Sequence, residues 1–421
     1  MQAEIFVMQH IDRHIELMAP AGNFESLQAA IDNGADSVYF GVEQLNMRAV
    51  SSINFVLEDI PEIVARCAPK GIRTYITLNT IVYDHDMNMV KNIVGEAKKH
   101  GITAIIAADH AVIAFARSIG MEVHISTQVN VTNVETVKFY ALFADTVVLS
   151  RELSLNQIKK ITDAIEKEQV KGPSGKLVEI EIFGHGALCM AVSGKCYLSL
   201  HTHNSSANRG ACRQNCRKKY TVTDEDGIQL EIDNEYIMSP QDLCTIDFLD
   251  KVLDAGVSVL KIEGRGRAAD YVATTIKCYR EAIDAYKEDT YSKEMVESWM
   301  ERLATVYNRG FWSGYYLGQE LGEWTKDHPG SHATRKKLFV GTGEHYFTKA
   351  GIAQFKLEAF DIKIGDKMLI TGPTTGVKEF DIDKLMVNDI FADQAVKGDQ
   401  VTIPLDFKIR KSDKLYKLVE A

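Results

Sequence analysis

Cysteine is scarce in this chain, with seven in 421 residues. So few thiols, odd in number, exclude the disulfide framework of a small secreted domain and fit a reducing compartment. Long apolar runs are missing as well. No stretch reaches the roughly 18 apolar residues of a membrane span, and the opening "MQAEIFVMQHIDRH" scatters charge among its apolar residues, unlike a secretory leader. The expectation is a cytoplasmic protein with no membrane contact. Net positive charge is also lacking: 48 Lys+Arg against 58 Asp+Glu give −10. A global electrostatic grip on nucleic acid is therefore excluded, and any grip has to be a local patch. There is no H-E-x-x-H, no G-x-S-x-G and no G-x-G-x-x-G after the first strand, which removes the common zinc-protease, serine-hydrolase and dinucleotide-binding signatures.

What is present is a recurring unit. A helix-like segment ends in a turn and a short β-branched run follows, as in "AAIDNGADSVYFG", "CAPKGIRTYITLN", "AKKHGITAIIAAD", "ARSIGMEVHIST", "YALFADTVVLS" and "VLDAGVSVLKIEG". Continuous apolar runs of this kind fit parallel strands covered on both faces. With "IELMAPAG" and "VEIEIFGHG" they make eight strands, which predicts an α/β TIM-type (β/α)8-like barrel over residues 1–325; a doubly wound open sheet is the competing reading. The spacing breaks once, after the seventh strand. The Cys-rich insertion at about 186–240 sits there, including "YTVTDEDGIQLEIDNEYIMS", which reads as a β-hairpin, and only then comes a helix in "PQDLCTIDFLDKVLDAG". An insertion at that point belongs to the C-terminal face of a barrel, where the chemistry of the fold is found. Residues 335–421 alternate instead, predicting a small C-terminal antiparallel β-barrel.

The insertion holds Cys189, Cys196, Cys212 and Cys216 in a 28-residue window, and Cys244 follows. Four thiolates this close point to a metal or cluster site. Zinc prefers a tight knuckle, which only the second pair offers. Spread ligands on a glycine-rich loop suit a [4Fe–4S] cluster better, with zinc as second choice and small buried hydrophobes as the plain alternative. Cys67 and Cys278 lie in helix patterns and read as core. The same loop carries Arg209, Arg213, Arg217, Lys218 and Lys219, and residues 205–220 contain no acid. This is either a solvated face or a phosphate-binding patch, with Tyr197, His201, His203 and Tyr220 as stacking groups.

Polar residues at strand ends are candidates for the barrel mouth: Asn79, Asp109, His110, Gln128, Asn130, Arg151, Glu152, His185, Lys261, Glu263 and Arg265. Lys261, Glu263 and Arg265 alternate along "LKIEGR" and so share one face. Charge there is costly unless paired or liganded, so it either binds a carboxylate or forms internal ion pairs.

Together, "IELMAPAGNFESLQAAIDNGADSVYFG", "EIFGHGALCMAVSGKCYLS", "NRGACRQNCRKKY", "YIMSPQDLC", "LKIEGRGR" and "NRGFWSGYY" resemble the motifs of the peptidase U32 family over nearly the whole chain. The family is named for collagenase-like peptidases. The resemblance to its hydroxylase-type members implies oxygen-independent hydroxylation of tRNA wobble uridine to 5-hydroxyuridine with prephenate as donor, of a ribosomal RNA cytidine, or of a small molecule. It also implies a cluster held by Cys189, Cys196, Cys212 and either Cys216 or Cys244. The expected partners are tRNA and a small carboxylate donor, and a homodimer or a heterodimer with a related family member. Catalytic candidates are Lys261, Glu263, Arg265 and His185. Peptidase activity is the alternative, though no Cys/His constellation supports it.

Overall fold

The structure is a computed structural model that describes residues 14–49, 54–221, 223, 225–227, 236, 238–318, 323–326 and 330–421. Seven parallel strands run in chain order: β1 Glu16–Pro20, β2 Ser37–Gly41, β3 Arg73–Leu78, β4 Ala104–Ala107, β5 Glu122–Ile125, β6 Thr146–Val148 and β7 Glu179–Ala187. After β8 (Asp242–Cys244), strand β9 (Val259–Ile262) pairs with both β1 and β7 and closes the barrel. The barrel strands are those expected from the sequence. Helices such as Phe24–Asp32, His110–Ser118, Val134–Ala141 and Leu155–Glu168 cover the outside and bury their apolar faces against the strands. Side-chain caps start them just past the strand ends. Asn23 accepts from Ser26 N, Asp109 from Ala111 N and Asn133 from Thr136 N, each satisfying an otherwise orphan donor.

One expectation needs correction. Cys244 does not open a helix. "DLC" forms β8, antiparallel to the end of β7, and the helix starts at Leu249. Gly186 permits this. Its φ is +107°, and a Cβ there would collide with the Glu263 carbonyl, so β7 can bend away from β9 and accept a new neighbour. The expected hairpin lies largely outside the described residues.

From Arg335 onward the chain forms an eight-stranded antiparallel sheet over its own core, which includes Val340, Phe355, Met368, Ile370 and Leu415. Lys337 pairs with Asp270 of helix Ala269–Lys287 at 2.6 Å and ties this sheet to the barrel. Among the described residues no helix is long and apolar enough to cross a membrane.

Candidate active site at the barrel mouth

The C-terminal ends of the strands and the insertion enclose one cavity of about 510 Å³. Cys189, Cys196, Cys212 and Cys216 all line it, as do Lys261, Glu263 and Arg265. None of these cysteines is in a disulfide. Burial pushes the Cys216 thiol up; Arg217 draws it down, and Cys189, Cys212 and Cys196 push it further up, so the four thiols feel one another. Gln214 adopts a left-handed backbone with φ 53°, and its N–H donates to Cys212 Sγ at 3.4 Å. Gly210, with φ +80°, lets the loop lie against the backbone of Asn46, where a Cβ would collide with the carbonyl. Among the described residues no three His, Cys, Asp or Glu side chains gather closely enough to hold a single metal ion.

Cys244 stands apart. It is buried on β8, with Sγ 3.8 Å from both Tyr279 Oη and Met300 Sδ, and burial pushes its thiol up to about 12. Burial does the same to Cys67 and Cys278, which pack in helices. Of the two expected fourth ligands, only Cys216 faces the cavity.

The "LKIEGR" residues reach the cavity, but β9 ends at Ile262, so Glu263 and Arg265 project from the loop that follows. Lys261 is paired with Glu181 at 2.8 Å and lies 4.4 Å from the Tyr39 ring centroid. Glu263 meets Arg48 at 2.6 Å and accepts from Tyr39 Oη at 3.1 Å. Burial would raise the Glu263 carboxyl, yet Arg48 and Arg265 hold it down at about 2. Arg265 donates to Thr77 Oγ1 at 2.8 Å and Asn46 Oδ1 at 3.1 Å, and its Nε is buried without a partner. Internal pairing therefore accounts for Lys261 and Glu263 but, among the described residues, leaves Arg265 without a carboxylate at ion-pair distance.

His185 does not reach the cavity. It is buried among Tyr271, Tyr279 and Phe311, and desolvation pushes it down to about 4. Of the other mouth candidates, Asn79, Gln128 and Arg151 line the cavity. Asp109 caps a helix, His110 lies near Tyr140, Asn130 holds the backbone of Gln128 and Ser193, and Glu152 accepts from Ser150.

The basic run is split. Arg209 is turned inward to Asp86 at 2.5 Å and to the Ile81 carbonyl. Arg217 donates to Ser239 Oγ and to the carbonyls of Pro240 and Leu188, pinning the insertion to the barrel. Arg213, Lys218 and Lys219 are exposed. Tyr197 is 74% exposed on the cavity rim; His201 and His203 are exposed, with His203 beside Asn215, and Tyr220 bonds the Asn215 carbonyl.

Sequence reasoning missed much of the cavity's charge. Arg48, Lys195, Arg267 and Arg309 also line it, so with Arg151, Arg217, Lys261 and Arg265 eight cations surround a space in which Glu263 is the single acidic side chain among the described residues. Glu181 could have been found from the same alternation that exposed Lys261. Arg48 and Arg309 sit outside any periodic segment.

A parallel barrel whose mouth gathers thiols and cations defines a barrel enzyme scaffold with its site in the post-strand loops. The family model for Peptidase family U32 matches residues 22–326, and the chain belongs to that family. It is 54% identical over 403 residues to a "Collagenase" of Porphyromonas gingivalis, covering 96% of this chain and 97% of that one. It is also 33% identical over 372 residues to "tRNA hydroxylation protein P1" of Bacillus subtilis, covering 86% and 85%. A 23S rRNA 5-hydroxycytidine synthase of Escherichia coli is 35% identical over 276 residues, covering 65% of this chain and 40% of the relative.

Proposed function

We propose that the protein is an oxygen-independent RNA hydroxylase acting on tRNA wobble uridine, with a [4Fe–4S] cluster and a small carboxylate donor such as prephenate. The observation that carries this reading is the shared cavity: four thiols and eight cationic side chains face one space at the barrel mouth. Cys189, Cys196, Cys212 and Cys216 would hold the cluster. Their donor set fits it, being all sulfur, spread around a cavity and supported by an N–H···S bond. When bound, the cluster would supply electron transfer. The protein's own groups do the rest. Arg265, with its Nε unpartnered, offers charge-assisted bonds to a donor carboxylate. Arg151, held by Ser193 Oγ at 2.7 Å, is a second anion contact on the wall. Tyr197 on the rim offers a face for an unstacked base.

The names of the relatives also favour a second reading, a collagenase-like peptidase. A cysteine or serine peptidase needs a base beside its nucleophile. No histidine lines this cavity among the described residues, and Glu263 is engaged by Arg48. Nucleoside mass spectrometry of tRNA from a deletion strain tests the proposal, with loss of 5-hydroxyuridine-derived nucleosides expected. Unchanged nucleosides, together with gelatin cleavage by the pure protein, would overturn it.

A further inference from the structure

The inside of the barrel carries charge beside its apolar cluster of Met18, Ala104, Ile106 and Val259, where this fold usually has aliphatic layers alone. Inward side chains of β5, β7 and β9 form a line. Lys261 Nζ stands 2.8 Å from Glu181 Oε1, Glu181 Oε2 faces His124 Nδ1 at 3.9 Å, and His124 Nε2 lies 3.3 Å from Glu122 Oε1. Side-chain exposure is 6% at Lys261, 0% at Glu181, 1% at His124 and 36% at Glu122. Glu122 opens β5, so the line runs from the mouth cavity through the barrel to solvent at its N-terminal face.

The widest step in the line is also its least satisfied. Glu181 Oε2 and His124 Nδ1 are both buried, and neither has a hydrogen-bond partner. An unsatisfied buried polar atom costs about 1–3 kcal/mol, and a merely structural plug gains nothing by keeping two of them face to face. Ile106 on β4 and Thr146 on β6 flank His124 across the sheet. The Tyr75 ring lies 4.5 Å from the imidazole, centroid to centroid, and gives its hydroxyl to Glu16, which is paired with Arg73.

We infer that Glu122, His124, Glu181 and Lys261 form a proton path between solvent at the barrel floor and the mouth cavity. A proton taken up by Glu122 passes to His124 Nε2 as Nδ1 releases one to Glu181 Oε2. A turn of the Glu181 carboxyl carries it to Lys261 as the ammonium yields one to the cavity. A turn of the imidazole that exchanges its two nitrogens between Glu122 and Glu181 lets the next proton enter at Nδ1 and leave from Nε2, so the first tautomer returns after two transfers, one proton crosses in each, and no group gains or loses one over the cycle. The need for such a path rests on the RNA reading: a substrate seated on the mouth covers the open side of the cavity, and acid–base chemistry beneath it requires another route for protons.

The first test is independent of activity. In protein made with ¹⁵N-lysine, the Lys261 ammonium signal is assigned by its loss in Lys261→Arg, and its hydrogen exchange is measured in the free protein. His124→Gln is expected to slow exchange roughly a hundredfold, the scale of a lost acid–base group. Glu122→Gln, at the half-exposed solvent end, does the same where the buried variant fails to fold. Exchange unchanged in the folded variants overturns the path. The second test is single-turnover RNA hydroxylation in H₂O and D₂O, where both variants are expected to be slower with a larger solvent isotope effect. Wild-type protein that makes no hydroxylated RNA strikes the proposed function, while the exchange measurement still decides the path.

Discussion

Arg48, from the loop after β2, reaches Glu263 beyond β9 at 2.6 Å, and both side chains line the cavity. The folded protein holds the Glu263 carboxyl at about 2, below its ordinary 4.5. The pair's contribution is therefore complete above about pH 4.5 and is lost as pH falls toward 2. Arg48→Ala leaves a carboxylate desolvated without its nearest cation, at an expected loss of about 3–5 kcal/mol at neutral pH. Urea denaturation at pH 7 and pH 3 checks both points: the gap between wild type and variant is expected to narrow at the lower pH.

The barrel strands were legible because each is a short β-branched run after a turn, and Lys261 stood out as a charge inside such a run. β8 was not legible: three residues, Asp242–Cys244, carry no periodicity, and they become a strand only because the end of β7 bends to receive them. Arg48 lies 215 residues from Glu263 in sequence, and nothing local marks that contact. The inward turn of Arg209 and Arg217 was equally hidden, because composition shows a basic run but not which members find partners within the protein.

The cavity separates two groups of cysteine. Ser substitutions at Cys189, Cys196, Cys212 and Cys216 are each expected to abolish stoichiometric iron and sulfide after anaerobic reconstitution. Cys244→Ala, Cys67→Ala and Cys278→Ala should keep both, with modest losses in stability from vacated core volume. Iron and sulfide analysis of the seven variants decides this, and retention of a cluster by Cys216→Ser would remove that residue from the ligand set.

The split basic run predicts two different phenotypes. Ala substitutions at the exposed Arg213 and Lys218 should weaken RNA binding at every sequence and flatten the salt dependence by about one unit of slope per lost phosphate contact. Arg217→Met should instead loosen the insertion, because it removes bonds to Ser239, Pro240 and Leu188. Its signature is faster loss of iron in chelator at an RNA salt slope unchanged from wild type. Filter binding over a salt series, run beside chelator-induced bleaching, separates the two.

His185 gives the last contrast, between a buried histidine and a catalytic one. Desolvation holds it at about 4 in the folded protein, against an ordinary 6.5. Between those values the unfolded chain binds the proton and the folded chain does not, so stability rises with pH across the window. Full stability is present above about pH 6.5 and is lost as pH falls toward 4, by on the order of 3 kcal/mol. The ring sits among Tyr271, Tyr279 and Phe311, with Nδ1 3.4 Å from Tyr279 Oη and no face on the cavity. His185→Phe should therefore flatten the stability profile between pH 4 and pH 6.5 while iron content and RNA affinity stay at wild-type levels. Thermal unfolding across that range, with iron analysis and RNA binding on the same preparations, tests it. A variant that lost the cluster or the RNA while remaining folded would return His185 to the active site.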